Sequence, residues 1–354
     1  MIVDDQALSS IARGGIALKL YPNEWEVISA ATKALTISKI SEATKLPYST
    51  VIDVVKRLAK RNINLSFVPN YEKIGLKSLF LLFEEKPIRN FPVYTLSVYK
   101  IIGRKRYLGV EALVPERYLD DYISLFSGEP AYSLSTFEVK YWTPLGKLTQ
   151  YYPRLGLLLP DSKHLMDVLR EASVPPSPQE KKWIDWVDLV VLYFKVKYAF
   201  TKLSSMLTLV RQFFGVDPPS RQLMSYHYRT HVTALWSYNC PTFRLNTSLI
   251  PLKLFVFGGK EGETAARVLV QAPYMYEALV GESTAVVLGQ PPSYLEPLIH
   301  TVMNMTTPEL LFGPLLISSE RSTPWITAKV VESYRVKGEF PDPTVDGFSF
   351  ENIY

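Results

Sequence analysis

Hydrophobic positions recur at helical spacing in three short segments near the start of the chain. The segments cover residues 22–34, 37–46 and 47–61, and each turns its apolar side chains to one arc at about 100° per residue. Pro47 suits the first turn of the third segment, and Asn62 suits its end. The pattern predicts three short helices separated by only a few residues.

The third helix divides into an apolar arc and a polar, largely basic arc. Its apolar positions are Val51, Ile52, Val54, Val55, Leu58 and Ala59. Its polar positions are Ser49, Thr50, Asp53, Lys56, Arg57, Lys60 and Arg61. Hydroxyls at the N-terminal end and cations further along suit a helix in the DNA major groove, where the first residues reach base edges and the cations meet phosphates. A basic face that only contacts water is the alternative.

An alternating segment follows the third helix and leads into a series of strand-like runs. Residues 62–76 alternate apolar and polar side chains before a turn at Pro69 and Asn70, which predicts the wing of a winged helix-turn-helix. Three strand-like runs, one helix and a further strand are predicted next, at 76–85, 93–103, 106–114, 115–126 and 135–142. This order predicts a small α+β sheet with helices on one face.

Two short patterns recur along the chain at the same interval. Lys77 and Lys253 occupy matching places in two strand-like runs, as Tyr118 and Tyr294 do in two helical segments, and both intervals are 176 residues. The shared order and interval favour a duplicated unit. The Pro-rich segment 170–182 is interpreted as a linker. Three helices and then a second sheet are predicted after it, at 183–200, 203–215, 219–236 and from residue 246 to the segment 325–336.

The residues ISKISEATKLPYSTVIDVVKRLAKRNI, within a match over 24–70, resemble the winged helix-turn-helix of archaeal transcriptional regulators of the Lrp/AsnC type. In that family the helix matching 47–61 is the recognition helix. The resemblance implies base-facing positions at Tyr48, Ser49, Thr50 and Asp53, and phosphate-facing positions at Lys56, Arg57, Lys60 and Arg61. The residues SYHYRTHV, at 225–232, resemble a second recognition helix, with implied contacts from Tyr226, His227, Arg229 and Thr230.

Together, the repeat and the resemblance predict an α+β fold of two tandem units. Each unit is expected to be a winged helix-turn-helix followed by a small ferredoxin-like sheet domain, which in the family serves effector binding and dimerisation. The predicted boundaries are 1–72 for the first winged helix-turn-helix, 73–150 for the first sheet domain, 151–180 for the linker, 181–245 for a second, degenerate winged helix-turn-helix, 246–336 for the second sheet domain and 337–354 for a C-terminal tail.

The chain is mildly basic and contains a single cysteine. The 354 residues carry a formal net charge of +5 with a pI near 8.9, which permits a polyanionic partner. The single cysteine, Cys240, excludes an intrachain disulfide framework and a Cys-rich zinc site, and it indicates a reducing, cytoplasmic location. The longest apolar run, 187–200, is interrupted by Lys195 and Lys197, so no membrane span is predicted.

Metal, nucleotide and catalytic motifs are incomplete in this sequence. His227 and His231 are four residues apart, a spacing that can present two imidazoles to one metal, with Cys240 as a conceivable third ligand. No HExxH glutamate or second cysteine accompanies them, which favours histidines that pack inside or contact phosphate. The glycines of residues 258–262 match neither the dinucleotide nor the Walker pattern and indicate a turn between strands. No metal site, cofactor or enzymatic activity is therefore predicted.

These observations predict a sequence-specific DNA-binding transcriptional regulator, an internal pseudo-dimer that reads double-stranded DNA with two recognition helices. The expected partners are double-stranded DNA, the transcription machinery and a small-molecule effector that no residue identifies. The alternative is a non-catalytic interaction module whose basic face docks an acidic protein partner. An enzymatic interpretation would require a cleft with convergent titratable groups.

Overall fold

A computed structural model of the chain describes residues 17–84, 90–174, 180–322, 325–344 and 348–349. The helices are α1 Pro22–Ala31, α2 Ile37–Thr44, α3 Tyr48–Lys60, α4 Leu119–Ser124, α5 Leu165–Ala172, α6 Trp186–Lys197, α7 Leu203–Phe214, α8 Arg221–His227, α9 Thr233–Leu235, α10 Gly259–Leu269, α11 Glu296–Thr306 and α12 Ala328–Lys337. A π-helical turn, Tyr228–Val232, joins α8 to α9.

The strands are β1 Asn64–Pro69, β2 Leu76–Glu84, β3 Asn90–Phe91, β4 Thr95–Ile102, β5 Arg106–Pro115, β6 Tyr132–Tyr141, β7 Thr149–Tyr152, β8 Leu157–Pro160, β9 Trp236–Thr242, β10 Leu252–Gly258, β11 Met275–Gly281, β12 Thr284–Gly289, β13 Glu309–Ser322 and β14 Phe348–Ser349. Two-stranded sheets are formed by β1 with β9, by β3 with β14 and by β7 with β8.

Eight strands close into one β-barrel in the order β10-β12-β11-β6-β2-β5-β4-β13. The pairs β2–β5, β2–β6, β4–β5, β10–β12, β10–β13 and β11–β12 are antiparallel. The predicted fold of two winged helix-turn-helix and ferredoxin-like units is therefore wrong. The amino-acid composition of a strand does not specify its neighbours in a sheet. In this barrel β6 lies between β11 and β2, and β13 lies between β4 and β10, so strands distant in sequence are paired.

The barrel order repeats itself when the two parts of the sequence are exchanged. The first part supplies β2, β4, β5, α4 and β6 in turn, and the second supplies β10, β11, β12, α11 and β13. Replacing each strand by its counterpart reproduces the same circular order. Strands β2 and β10 begin at Leu76 and Leu252, which are 176 positions apart.

One compact unit contains, of the described residues, 17–65, 138–174 and 238–317. In it, α1, α2 and α3 each contact the other two helices and bury the apolar arcs that the sequence pattern shows. The buried side chains include Val27, Ile28, Ala31, Ile40, Val51, Val54 and Leu58. Asn239 of β9 lies against the end of α1, where its side-chain amide donates to the carbonyls of Ala31 and Ala34 at 2.8 and 2.7 Å.

The other compact unit contains the described residues within 66–137, 180–237 and 318–349. Its central helix is α6, in which residues 187–195 are all buried. Around α6 lie α7, α8, the π-helical turn and α12. Asp185 caps the start of α6 by accepting hydrogen bonds from the amides of Val187 and Asp188 at 2.8 and 3.1 Å. The three helices predicted at 183–200, 203–215 and 219–236 are confirmed, the last with its π-helical turn.

The predicted wing does not form. A wing needs a second strand a few residues after the first, but residues 71–74 form a 3-10 turn that leads directly into the barrel strand β2. Strand β1 is paired instead with β9, about 170 residues further along the chain. The winged helix-turn-helix and Lrp/AsnC-type architecture implied by the resemblance is corrected accordingly.

Several local predictions also differ from the structure. The segment predicted as a linker, 151–180, contains β8 and α5. Residues 259–269 form helix α10, where a turn between strands was expected, and residues 328–337 form helix α12, where a strand was expected. Of the predicted tail 337–354, residues 345–347 and 350–354 lie outside the described residues.

None of the helices in the described ranges combines the length and the apolar character that a bilayer crossing requires.

Candidate functional site

Helix α3 exposes one polar stripe along its length. Ser49, Asp53, Lys56 and Lys60 are exposed, at helical spacings of four, three and four residues. Tyr48, which is 47% exposed, begins the helix beside them, and Thr50 is half-buried. We call Ser49, Asp53, Lys56 and Lys60 the α3 stripe.

A three-residue turn joins α2 to α3 and fixes the direction of the stripe. Lys45 ends α2 in the left-handed conformation, with φ of 58°. The hydroxyl of Ser41 donates to the carbonyl of Leu46 at 2.6 Å, which holds the turn. Thr36 caps the start of α2 by accepting from the amide of Lys39 at 3.2 Å. Two helices joined by so short a turn are the arrangement that presents the second helix to a groove.

Two of the cations assigned to phosphate contacts are occupied within the protein. Arg57 Nε donates to Glu24 Oε1 at 2.8 Å, and Arg61 Nη1 donates to Glu24 Oε2 at 2.7 Å. Arg57 also donates to the side chain of Asn23 at 3.3 Å, and Arg61 donates to the carbonyl of Lys19. The Glu24 side chain is fully buried. Arg57 and Arg61 therefore join α3 to α1, and their assignment to phosphate contacts stays a prediction.

The remaining cations near α3 are unpaired. Among the described residues, no carboxylate lies within ion-pair distance of Lys45, Lys56 or Lys60, all of which are exposed. Lys39 of α2, by contrast, pairs with Glu42 at 2.8 Å. The positive charge available to a partner therefore comes from Lys45, Lys56 and Lys60, partly offset by Asp53 of the stripe.

The second predicted recognition helix divides into exposed and buried residues. Tyr226, Arg229 and Thr230 are exposed. Arg229 Nε donates to the carbonyl of Ser225 at 3.3 Å. His227, however, is only 5% exposed and contacts a carboxylate inside the protein. A buried histidine cannot reach a base edge, so its assignment as a DNA contact is corrected.

His227 belongs to a buried cluster with Asp188 and His231. His227 Nδ1 lies 3.0 Å from Asp188 Oδ1, and His231 Nδ1 lies 3.0 Å from Asp188 Oδ2. One ligand atom from each of these three residues lies within 4.8 Å of the other two. We call Asp188, His227 and His231 the Asp–His–His cluster. Helix α6 supplies the aspartate, while α8 and the π-helical turn supply the histidines.

The electrostatics of the cluster are set by the burial of Asp188. Its side chain has no exposed surface, and burial raises the pKa of its carboxyl above the ordinary value, although hydrogen bonds from the Asp185 amide and from His231 act in the opposite direction. Asp185 Oδ1 lies 3.4 Å from His227 Nδ1. Two carboxylates and two imidazoles therefore meet at one place, where carboxylate charge favours a cation.

His231 is the most exposed member of the cluster. The His231 side chain is 21% exposed, compared with 7% for His227. Tyr226 and Trp183, 52% and 72% exposed, pack edge-on against the His231 ring with centroid distances of 5.7 and 6.0 Å. Two exposed aromatic rings therefore contact the part-exposed member of the cluster.

Lys195, on the same helix as Asp188, is buried without a carboxylate in hydrogen-bond range among the described residues. Its Nζ donates to the carbonyls of Ala199 and Thr201 at 2.9 and 3.1 Å and lies 4.6 Å from the centre of the Tyr228 ring. Burial lowers the pKa of Lys195 to about 8. The interruption of the apolar run that the sequence shows at this position is thus an internal cation.

Sequence reasoning found the two histidines and missed their partner. Cys240, considered as the third ligand, is not a member of the cluster; it lies buried in β9. The signal for Asp188 was an aspartate within the apolar run of α6, three residues after the capping Asp185. It reads as an ordinary capping-box residue, and indeed Asp188 Oδ2 also accepts from the Asp185 amide at 2.9 Å.

Fold and sites together define a protein with a closed eight-stranded barrel, a helical surface with unpaired lysines and a buried carboxylate–imidazole cluster. Comparisons of the chain with protein-family models, with curated protein sequences and with solved structures found no significant match.

Proposed function

We propose that this chain is a sequence-specific double-stranded DNA-binding protein that reads DNA with the exposed face of α3. The observation that carries the proposal is the α3 stripe, a row of polar side chains on a helix presented by a three-residue turn. Within the part of the chain that the structure describes, no carboxylate pairs with Lys56 or Lys60 of the stripe or with Lys45 of the turn. The proposal needs neither a wing nor a family relationship.

The dimensions of α3 support a groove-binding role. Its thirteen residues span about 20 Å, and the major groove, about 12 Å wide, admits a single helix. Ser49 and Tyr48 lie at the N-terminal end, from which a helix in the groove reaches base edges. Lys56 and Lys60 lie about two and three turns further along, where side chains of this length reach phosphates.

The ion pairs of α3 divide its cations into two groups with different expected roles. Arg57 and Arg61 stabilise the fold through Glu24 and contribute little to a DNA contact. Lys56 and Lys60 have no such partner among the residues described, and they are the expected phosphate contacts. A test of DNA binding that removed all four cations would confuse loss of contact with loss of structure, so the lysines are the residues to change.

The test begins with selection of bound fragments from a random duplex DNA library by the full-length chain. Affinity for the selected duplex is then measured as a function of salt for wild type and for the double variant Lys56→Ala/Lys60→Ala. The control, Lys163→Ala/Lys337→Ala, removes two other exposed lysines and lowers the net charge from +5 to the same +3. Lys337 closes helix α12 as Lys60 closes α3, so the effect on a helix end is matched.

We expect the stripe variant to weaken binding to all duplexes and to reduce the slope of log affinity against log salt by about 2, since each phosphate contact contributes about 0.9. The control should leave both unchanged, and Ser49→Ala should blur sequence preference with little change in slope. If wild type and the stripe variant show the same slope of log affinity against log salt, the proposal is refuted. If no salt-sensitive duplex binding occurs at all, the lysines serve another partner, such as an acidic protein surface.

A further inference from the structure

We propose that the Asp–His–His cluster is a binding site for a single divalent transition-metal ion of the zinc class. The ligands would be His227, His231 and Asp188, two imidazole nitrogens and one carboxylate oxygen. The site is independent of DNA binding by α3, because it lies on α6, α8 and the π-helical turn. The fold brings the three ligand atoms together, although His227 and His231 lie 39 and 43 residues after Asp188 in the sequence.

The spacing of the ligand atoms allows such an ion to bind after small shifts of the side chains. A tetrahedral zinc about 2.1 Å from each ligand atom separates neighbouring ligand atoms by about 3.4 Å. The two histidine Nδ1 atoms each lie 3.0 Å from an oxygen of Asp188, and the three candidate atoms lie within 4.8 Å of one another. An ion can therefore replace the two hydrogen bonds with shifts on the order of 1 Å.

The donor set selects the class of metal. Two imidazoles and one carboxylate suit zinc and its transition-metal neighbours, whereas magnesium and calcium prefer ligand sets made of oxygens. Three protein ligands leave a fourth tetrahedral position, and the part-exposed His231 marks the side from which a water molecule would fill it. Asp185 Oδ1, 3.4 Å from His227 Nδ1, places a second carboxylate beside the site, and its negative charge favours a bound cation.

The helices around the cluster hold it before any ion binds. Asp185 caps α6 and thereby fixes the first turn, on which Asp188 lies. The π-helical turn Tyr228–Val232 begins directly after His227 and contains His231, and such turns occur often at functional sites. The cluster lies in a helical unit whose central helix is buried, so its ligand geometry is preorganised.

The test uses full-length protein dialysed against a chelator, with cobalt(II) chloride and zinc chloride as probes. Cobalt gives a visible absorption when bound by nitrogen and oxygen in tetrahedral geometry, and calorimetry with zinc gives stoichiometry and affinity. The variants are His231→Gln and Asp188→Asn. The control is the double variant His164→Gln/His300→Gln, which removes the other two of the four histidines, both exposed.

We expect one ion per chain in wild type and control, with a rise in melting temperature on zinc addition because the ion binds only the folded state. His231→Gln should lose more affinity than the roughly 10- to 100-fold that the loss of an outer partner costs. The proposal is overturned if wild type shows no saturable site, or if His231→Gln binds as tightly as wild type. The cluster would then be a hydrogen-bonded packing element only.

A measurement on wild type alone guards against variants that fail to fold. Carbethoxylation of histidines, followed by peptide mass analysis, reports which imidazoles are accessible with and without zinc. Zinc should protect His231 and leave the modification of His164 and His300 unchanged. Equal modification of His231 in both conditions would overturn the proposal without reference to any substitution.

Discussion

Arg61 Nη1 lies 2.7 Å from Glu24 Oε2, and the carboxylate that it contacts has no exposed surface. Arg57 approaches the other oxygen of the same carboxylate at 2.8 Å. One buried acid on α1 thus holds two cations of α3. The four cations at 56, 57, 60 and 61 therefore fall into two groups. Arg57 and Arg61 pair with Glu24, whereas Lys56 and Lys60 have no carboxylate partner among the described residues.

Replacing Glu24 by Gln should destabilise the folded chain by roughly 1–3 kcal/mol. The substitution keeps the shape of the side chain but leaves two part-buried guanidinium groups without a counter-charge. Urea unfolding measures the loss. Glu42→Gln is the control, because its partner Lys39 is exposed and surface pairs contribute about 0–1 kcal/mol. Equal losses for the two variants would contradict the internal role of Arg57 and Arg61.

The contribution of Glu24 should also depend on pH. Burial raises the pKa of Glu24, but hydrogen bonds from the Tyr21 amide, Arg57 and Arg61 outweigh burial and bring it below the ordinary value of 4.5. The folded state thus stabilises the ionised form of Glu24 relative to the unfolded state. The resulting gain in folding stability is present above pH 4.5 and is lost as pH falls through the lower folded pKa. The stability difference between wild type and Glu24→Gln should therefore shrink below pH 4.5. A difference that stays constant down to pH 3 would refute the linkage.

Lys195 should make the stability of the protein rise at alkaline pH. Its pKa is about 8 in the folded chain and 10.5 in an ordinary setting. Below pH 8, burial of the charged Lys195 destabilises the folded state by up to about 3 kcal/mol. This destabilisation disappears as pH increases from about 8 to about 10.5. Lys195→Met should lack this rise. Lys202→Met, at an exposed position, should retain it, and parallel pH profiles for Lys195→Met and wild type would disprove the assignment.

Gly156 should tolerate alanine much less well than Gly215. Both have φ of +70°, so both variants lose about 1 kcal/mol to the left-handed backbone. A Cβ at Gly156 would also overlap the carbonyl oxygen of Leu20, whereas nothing lies within 4 Å of a Cβ at Gly215. Gly156→Ala should lose about 1–3 kcal/mol more than Gly215→Ala in thermal unfolding. Similar melting temperatures would show that the contact with Leu20 relaxes freely.

Local periodicity predicted much of the secondary structure. The apolar arcs predicted α1, α2 and α3, and the runs at 76–85 and 106–114 predicted β2 and β5. The barrel was missed because strand pairing is a long-range property: β6 lies beside β11 and β2, and no local pattern specifies either edge. A helix-forming segment such as 328–337 was misassigned because its valines and tyrosine are residue types that also favour strands.

The candidate sites follow the same division between local and long-range information. Exposure of Ser49, Lys56 and Lys60 follows from the helical period alone. The ion pair between Arg57 and Glu24 links residues 33 positions apart. The contact between His231 and Asp188 links residues 43 positions apart. Neither has a local signature, since charge in a sequence does not indicate which opposite charge the fold brings near it.

The circular strand order has a consequence for how the molecule can specialise. A barrel with this order could equally be closed by two identical chains, each supplying one set of strands. Identical chains must carry every surface in duplicate. Joining the sets covalently removes that constraint, so the helical layer preceding β1 can keep a row of free lysines while the layer preceding β9 buries imidazoles. A single continuous polypeptide can therefore carry different chemistry on its two sets of strands and helices.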